Sequence, residues 1–358
     1  MKNTLILGAG PAGCAAAIGL ARSGATPLLL ERTRATGDPL CGGFLSWQTV
    51  ARLDRLGVAG LGAHPITEVR VVTGSQTAAA ALPAPAIGVS RHRLDTVMQQ
   101  IAVDAGATLK RGITARSFVD GLLKTDGGDF APDALFLATG KHDVRGFGRP
   151  KPTGDAPMGL RIRLAPHPAL RKLLNQAIEL HLFEGGYAGL LLQEDGSANL
   201  CMALRKSRFA EAGGDAATLL RQLGDAHPLL GERFGFLSDA PAADAIAAVP
   251  YGWRTDETEA GLFRLGDQAA VIPSLAGEGM GIAIASGVAA SAAYLEGGPA
   301  AAPQFQRDFA ARTRRPVAVA SMLWHQGERP TMARIAVPLL SAFPALAGFA
   351  ARMTRIGD

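Results

Sequence analysis

Cysteine is nearly absent from this chain, with Cys14, Cys41 and Cys201 the three copies among 358 residues. They lie far apart and build neither a disulfide framework nor a structural zinc site, so a reducing cytoplasm is the expected compartment. Histidine is sparse too. No two of the seven stand at the i, i+4 spacing that would place paired ligands on one helix face, and no metal is expected. The net charge is +5 and the pI near 9.4, yet no basic run is interleaved with stacking aromatics, so no nucleic-acid partner is expected. A mildly basic surface suits anionic cofactors or lipid headgroups instead. Long uninterrupted apolar runs are missing as well. The longest charge-free spans, 3–21 and 71–90, contain glycines or prolines, which argues against a membrane-spanning helix. The apolar run after Met1-Lys2 mimics a signal peptide, but its glycine pattern suits a buried strand followed by a closely packed helix.

What is present points to a globular α/β protein: 48% hydrophobic residues and 44 glycines imply many tight turns. At this length two interleaved modules sharing a cleft are expected. Residues 3–7 predict a buried strand, 11–23 a small-residue helix ending at Gly24, and 26–30 a second strand. That is a βαβ unit. A helix over 93–104, with Leu94, Val97, Met98 and Ile101 on one face, leads through Gly106 into a strand at 107–110. Another core strand, 134–138, ends at Thr139-Gly140. From 159 to 250 the texture changes to alternating strands at 159–164, 178–183 and 199–204. The chain then returns with a strand at 262–266 and an Ala/Gly-rich helix at 279–295. The last segment, 331–356, is apolar with Arg334, Arg352 and Arg355. Pro338 and Pro344 are expected to break it into short helices closing over the cleft, and a peripheral membrane contact is the alternative.

The first chemical motif is Gly8-Ala9-Gly10-Pro11-Ala12-Gly13. Gly8 permits a tight turn, Gly10 lets backbone approach a pyrophosphate, and Gly13 lets helix and strand pack closely. Glu31, followed by Arg32, ends the second strand 18 residues after Gly13, where a carboxylate can accept hydrogen bonds from ribose hydroxyls. An acid there argues against the 2′-phosphate of NADP.

The second motif is Gly266-Asp267-Gln268-Ala269-Ala270, then Pro273, then Gly277-Glu278-Gly279-Met280-Gly281. It resembles the second flavin motif of the para-hydroxybenzoate hydroxylase and geranylgeranyl reductase-like superfamily, in which the Asp bonds the ribityl chain and the helix start faces the flavin pyrimidine. FAD is the cofactor this resemblance implies. Other pieces follow in order. Ser90-Arg91-His92-Arg93-Leu94-Asp95 resembles the family's Arg-x-x-Leu-Asp helix start, which makes Arg91 a cofactor contact. Cys41-Gly42-Gly43 matches the loop that passes close to the flavin in the reductase-like members. Ala138-Thr139-Gly140 resembles the strand end that closes over FAD. The family implies NADPH or NADH as a transient reductant, although Thr139 stands where its hydroxylases have Asp. The expected fold is therefore α/β: a discontinuous Rossmann-like FAD-binding domain over 1–65, 88–157 and 255–300, an inserted, largely antiparallel β-sheet substrate domain over 66–87 and 158–254, and C-terminal helices over 301–358.

On the substrate side, Glu179, His181 and Phe183 share one face of a strand by the period of two, and Tyr187 follows the Gly185-Gly186 turn. His181 on that face would orient or deprotonate a phenol, or else the face is solvated. Tyr251 and Trp253 line the pocket or pack a hinge. His181, Tyr187 and Cys41 are the catalytic candidates, with His181, Phe183, Tyr187, Tyr251 and Trp253 as the substrate pocket. The Trp-x-Phe-Pro that completes the reductases' Gly-Tyr motif is missing, and so is the halogenases' Trp-x-Trp-x-x-Pro. The leading expectation is a cytoplasmic monooxygenase, monomer or dimer, that hydroxylates a small hydrophobic aromatic or polyketide-like substrate through hydroperoxyflavin. A geranylgeranyl reductase-like reductase of lipid or prenyl C=C bonds and a non-catalytic flavin-binding relative are the alternatives.

Overall fold

The N-terminal βαβ unit forms as the glycine pattern dictates. In the computed structural model, which describes residues 3–238 and 241–357, strand Thr4–Leu7 is buried throughout and runs into helix Pro11–Arg22. Met1 and Lys2, the start of the run that mimics a signal peptide, lie outside the described residues. Small side chains let the helix be enclosed on nearly every side. Helix Gly279–Gly297 crosses it so closely that a Cβ on Gly287 would lie 2.3 Å from the Ala12 carbonyl oxygen. Strand Leu28–Glu31 pairs in parallel with Thr4–Leu7, and Thr108–Arg111 continues the sheet beyond it. On the other side come Ala134–Leu137 and Leu262–Arg264, also parallel. The sheet therefore reverses its direction of growth at Thr4–Leu7. That switch point opens a crevice at the strand's C-terminal end, where the Gly8 loop sits.

A second sheet has eight strands, in the order Ala243–Ile246, Pro157–Leu164, Ala198–Arg205, Gly186–Leu192, Ala177–Phe183, His64–Thr73, Gln76–Gly88 and Phe44–Leu45. Its pairings are antiparallel except where Ala177–Phe183 meets His64–Thr73. Pro83 and Pro85 fall inside the Gln76–Gly88 strand. The ladder to its partner is interrupted there by a bulge between Ile66 and Glu68, so no pairing N–H is missed. One face of this sheet carries Leu160, Ile162, Leu190 and Met202 under helices Pro168–Leu174, Ala216–Ala226 and Pro228–Phe234. The other face looks toward the cofactor module. A small meander, Ala115–Val119, Leu122–Thr125 and Gly128–Phe130, covers the outer side of the parallel sheet through Phe118, Leu123 and Phe130.

The C-terminal chain forms helices Ala302–Gly327, Pro330–Ala342 and Ala345–Met353. Pro338 does not break its helix, contrary to expectation. It lies on an exposed side with Arg334 four residues before it, so the carbonyl that loses its partner is left to water. Only Pro344 marks a corner, where the axis bends by 114°. The helical stretch Gly279–Gly327 is long and apolar enough to cross a membrane, with mean hydropathy 1.2, but 56% of that window is buried. Its apolarity is explained by packing against helix Pro11–Arg22 in the core.

Candidate active site

The dinucleotide loop is built by backbone contact. Gly8 takes φ 107°, and a Cβ on Gly13 would lie 1.9 Å from the Gly8 carbonyl oxygen, so only glycine lets the helix start this close to the strand. Gly10 caps the helix without a side-chain acceptor, and Pro11 occupies its first turn. The free N–H groups of that turn, beside Ala12, face the crevice as an anion cradle. A Cβ on Gly10 would sit 3.2 Å from Arg91 Nη2, which places this guanidinium at the mouth of the cradle. Asp95 grips Arg91 through two bonds of 2.9 and 2.8 Å. Burial opposes the charge on Arg91, but Asp95 outweighs it and holds the guanidinium charged, its pKa raised.

Glu31 points back into the loop, accepting from Ala9 N at 3.0 Å and from Thr33 N at 2.9 Å. Arg32 turns outward to His142 Nε2, 2.6 Å away. Gln99 carries no motif in the sequence. Its Nε2 donates to the Ala9 carbonyl at 2.7 Å while its Oε1 accepts from Thr36 and Arg111, bracing the loop from the helix Arg91–Asp104. Ala138 packs against Gly8, and the buried Thr139 Oγ1 has no hydrogen-bond partner among the described residues. Such an orphaned hydroxyl at the crevice, together with the glycine cradle, fits a bound dinucleotide.

The second motif folds onto the first. Gln268 Nε2 donates to the carbonyls of Gly140 and His142 at 2.8 and 3.2 Å. Gly266 N donates to Ser286 Oγ at 2.9 Å, and the Asp267 carbonyl accepts from Arg149 at 3.0 Å. Asp267 lies close enough for its charge to be felt at Arg91. After Pro273 a short turn, Ser274–Ala276, ends at Gly277 with φ 61°, packed against Phe44. Helix Gly279–Gly297 begins there, with open space over Gly279 and with Met280 and Gly281 in its first turn. A reduced flavin carries negative charge at its pyrimidine end, which a helix N-terminus stabilises.

Cys41-Gly42-Gly43 bridges the two modules. Asn199 Nδ2, from the second sheet, donates to the Cys41 and Gly42 carbonyls at 2.9 and 2.8 Å. Cys41 itself is half-buried, near Tyr187 and Cys201. Tyr187 shares its sheet face with Leu180, Leu182, Cys201 and Ala203. Its hydroxyl donates to Ser274 Oγ at 2.9 Å, and Tyr251 Oη lies 2.6 Å from the same oxygen. Trp324, from the first C-terminal helix, stands edge-on to both rings with centroids 6.0 and 5.7 Å away. Neither Ser274 nor Trp324 carried a sequence signal, because each is joined to the tyrosines only by the fold. Burial pushes the pKa of Tyr187 and Tyr251 up and that of Cys201 up to about 12, so all three are neutral. A cleft of about 320 Å³ reaches Asp267, lined also by Lys141, Arg149 and Pro250. Trp253 stacks 5.9 Å from the Arg149 guanidinium at this side.

His181 and Phe183 are placed elsewhere. They share a face with Glu179 as the period of two predicts, but it is the opposite face from Tyr187, under the helices of the second sheet. It is not solvated either: His181 is 3% exposed. Its Nε2 lies 3.0 Å from Glu179 Oε2, and Arg233 binds the same carboxylate through two 3.0 Å bonds. Burial opposes the Glu179 charge, yet these hydrogen bonds hold its pKa at about 2. His181 belongs to a structural ion network rather than to a pocket with Tyr187. Among the described residues no group of three His, Cys, Asp or Glu could hold a metal ion.

Known proteins agree with this geometry. Residues 1–143 match the FAD binding domain family. A menaquinone reductase from Mycolicibacterium smegmatis is 27% identical over 327 residues, covering 83% of this chain and 77% of its own. The structure of Pseudomonas aeruginosa PqsL with 2-aminobenzoylacetate has a TM-score of 0.75 at 17% identity, covering 93% of this chain and 98% of its own. A geranylgeranyl bacteriochlorophyll reductase-like protein from Thermoplasma acidophilum has a TM-score of 0.73 at 19% identity, covering 99% of this chain and 93% of its own. The chain is an FAD-dependent oxidoreductase that carries an FAD binding domain over residues 1–143 and shares its fold with a flavoprotein monooxygenase and a geranylgeranyl reductase-like protein.

Proposed function

We propose that this chain reduces a carbon–carbon double bond in an apolar, prenyl-like chain, with menaquinone the first substrate to test. The observation that carries this reading is the Tyr187–Ser274–Tyr251 cluster, two neutral phenols sharing one hydroxyl within a cluster of apolar side chains. Adding hydrogen across an isolated double bond takes a hydride and a proton, so the site needs an acid. Bound, reduced FAD supplies the hydride equivalent. The Gly8–Gly13 loop, Glu31 and Arg91 hold the dinucleotide, and the helix start at Gly279 stabilises charge at its ring. Leu180, Leu182, Leu275 and Trp324 exclude water and clamp the hydrocarbon chain. Tyr187 keeps a proton beside it, with Ser274 and Tyr251 as the supply line.

Deprotonating a phenol for hydroxylation calls for a base, and the imidazole considered for that role, His181, faces away from this cluster. The likeness to a menaquinone reductase and the Cys41-Gly42-Gly43 loop support reduction. Monooxygenation of a flat aromatic is the second reading, favoured by the ring walls of Tyr187, Tyr251 and Trp324 and by the fold shared with PqsL. The test is anaerobic incubation of the dithionite-reduced holoenzyme with menaquinone and with geranylgeranyl lipids, followed by mass spectrometry. A gain of two hydrogen atoms supports reduction. Oxygen-dependent hydroxylation of an aromatic panel with NADPH or NADH, without any such gain, overturns it.

A further inference from the structure

We propose that the corner formed by helices Pro330–Ala342 and Ala345–Met353 is a docking surface for anionic lipid bilayers, seated in the interface without crossing it. Of the eleven large hydrophobic side chains exposed among the described residues, seven lie between Met322 and Phe349. Along the first helix Met332, Ile335, Leu339 and Phe343 recur at three- and four-residue steps and form one stripe. Ala333 and Val337 occupy a different, buried side, where the helix packs on the strands His64–Thr73 and Gln76–Gly88. One side thus anchors the helix and the stripe faces outward. Past the 114° bend, Leu346 and Phe349 carry the stripe around the corner. Ile335 and Phe343 are each 59% exposed and Phe349 is 57% exposed, far beyond what a helix stabilised by core packing leaves in water.

Charge identifies the occupant. Arg329, Arg334 and Arg352 are exposed along the same segment, and Arg352 follows Phe349 by one helical step of three. Between Arg329 and Gly357 the sequence has no Asp or Glu, and the preceding Glu328 is tied to Arg205 at 2.6 and 2.7 Å. Apolar rings with arginines and no acids match the acyl boundary and the phosphate layer of an anionic bilayer. A second copy of the chain fits poorly, since symmetric pairing would set arginine against arginine. The helices span about 20 and 14 Å at 1.5 Å per residue, short of the ~30 Å hydrocarbon core, so the corner seats rather than spans. This inference rests on the surface and is independent of which reaction the site performs.

The test is sedimentation of the FAD-loaded full chain with vesicles of phosphatidylcholine alone or mixed with phosphatidylglycerol. Binding is expected to be roughly tenfold tighter on the mixed vesicles, to weaken as salt screens the arginines, and to persist in part through the apolar stripe. The F343D/F349D variant replaces exposed side chains and should keep the wild-type flavin spectrum and melting temperature while losing binding at least tenfold. Equal partitioning of variant and wild type would overturn the proposal. So would a wild-type chain that ignores both vesicles while self-associating through this corner in sedimentation velocity.

Discussion

Arg355 Nη1 lies 2.5 Å from Glu278 Oε2, and both side chains are almost fully buried. The same guanidinium donates to the carbonyls of Ala276 and Gly277 and stacks 5.5 Å from the Trp47 ring, while Ile356 N donates to Glu278 Oε1. The segment around Arg355 is thereby bonded into the loop that starts helix Gly279–Gly297. The second glycine motif and the C-terminal helices are therefore parts of one packed unit.

Removing one member of that pair leaves a buried charge alone. Arg355→Leu is expected to cost about 3–5 kcal/mol of stability and to weaken FAD retention, whereas the R355L/E278L double variant should recover much of the loss. Urea unfolding of the three proteins measures this. A single variant as stable as wild type would remove the latch from the account.

The network around Glu179 predicts acid sensitivity. Its carboxyl titrates near 2 in the fold against an ordinary 4.5, so the folded pKa is the depressed one. Its contribution is complete above about pH 4.5 and is lost as the pH falls toward 2, a difference of about 3 kcal/mol. Stability measured across that window should fall more steeply for wild type than for Glu179→Gln. Parallel curves would count against the network.

Glu31→Ala removes the acceptor that faces the glycine loop. FAD affinity should drop by roughly 1.5–3 kcal/mol through lost charge-assisted hydrogen bonds. Fluorescence titration of the apoprotein with FAD reads the change directly, and an unaltered affinity would dismiss the ribose role.

Tyr187→Phe keeps the ring against Trp324 and deletes the proton. If the phenol supplies it, kcat should fall by about 10²-fold or more with KM little changed, since general acid catalysis is typically of that size. Trp324→Ala should do the reverse, raising KM by loosening the apolar cluster around Tyr187. A Tyr187→Phe enzyme with full kcat would leave the tyrosine cluster as packing only.

The cofactor half of this protein is legible in its sequence because its constraints are short-range. Gly8, Gly10 and Gly13 answer to one turn and one helix start, Glu31 to the end of the next strand, and the alternation at 159–164 or 199–204 to a single pleated face. Such patterns are imposed within a few residues and survive without knowledge of the rest. Period two also says that Glu179, His181 and Phe183 point the same way.

It cannot say which way. That choice was made by helices Pro168–Leu174, Ala216–Ala226 and Pro228–Phe234, which cover the face carrying His181 and leave Tyr187 to meet Ser274, Tyr251 and Trp324 across four separate segments. The same holds at the chain's end. The sequence alone determined that 331–356 is apolar and basic. Only the tertiary structure decided that Ala333 and Val337 would be spent on the sheet while Phe343 and Phe349 stay in water, because a helix can bury one side against its neighbours and the fold selects the side.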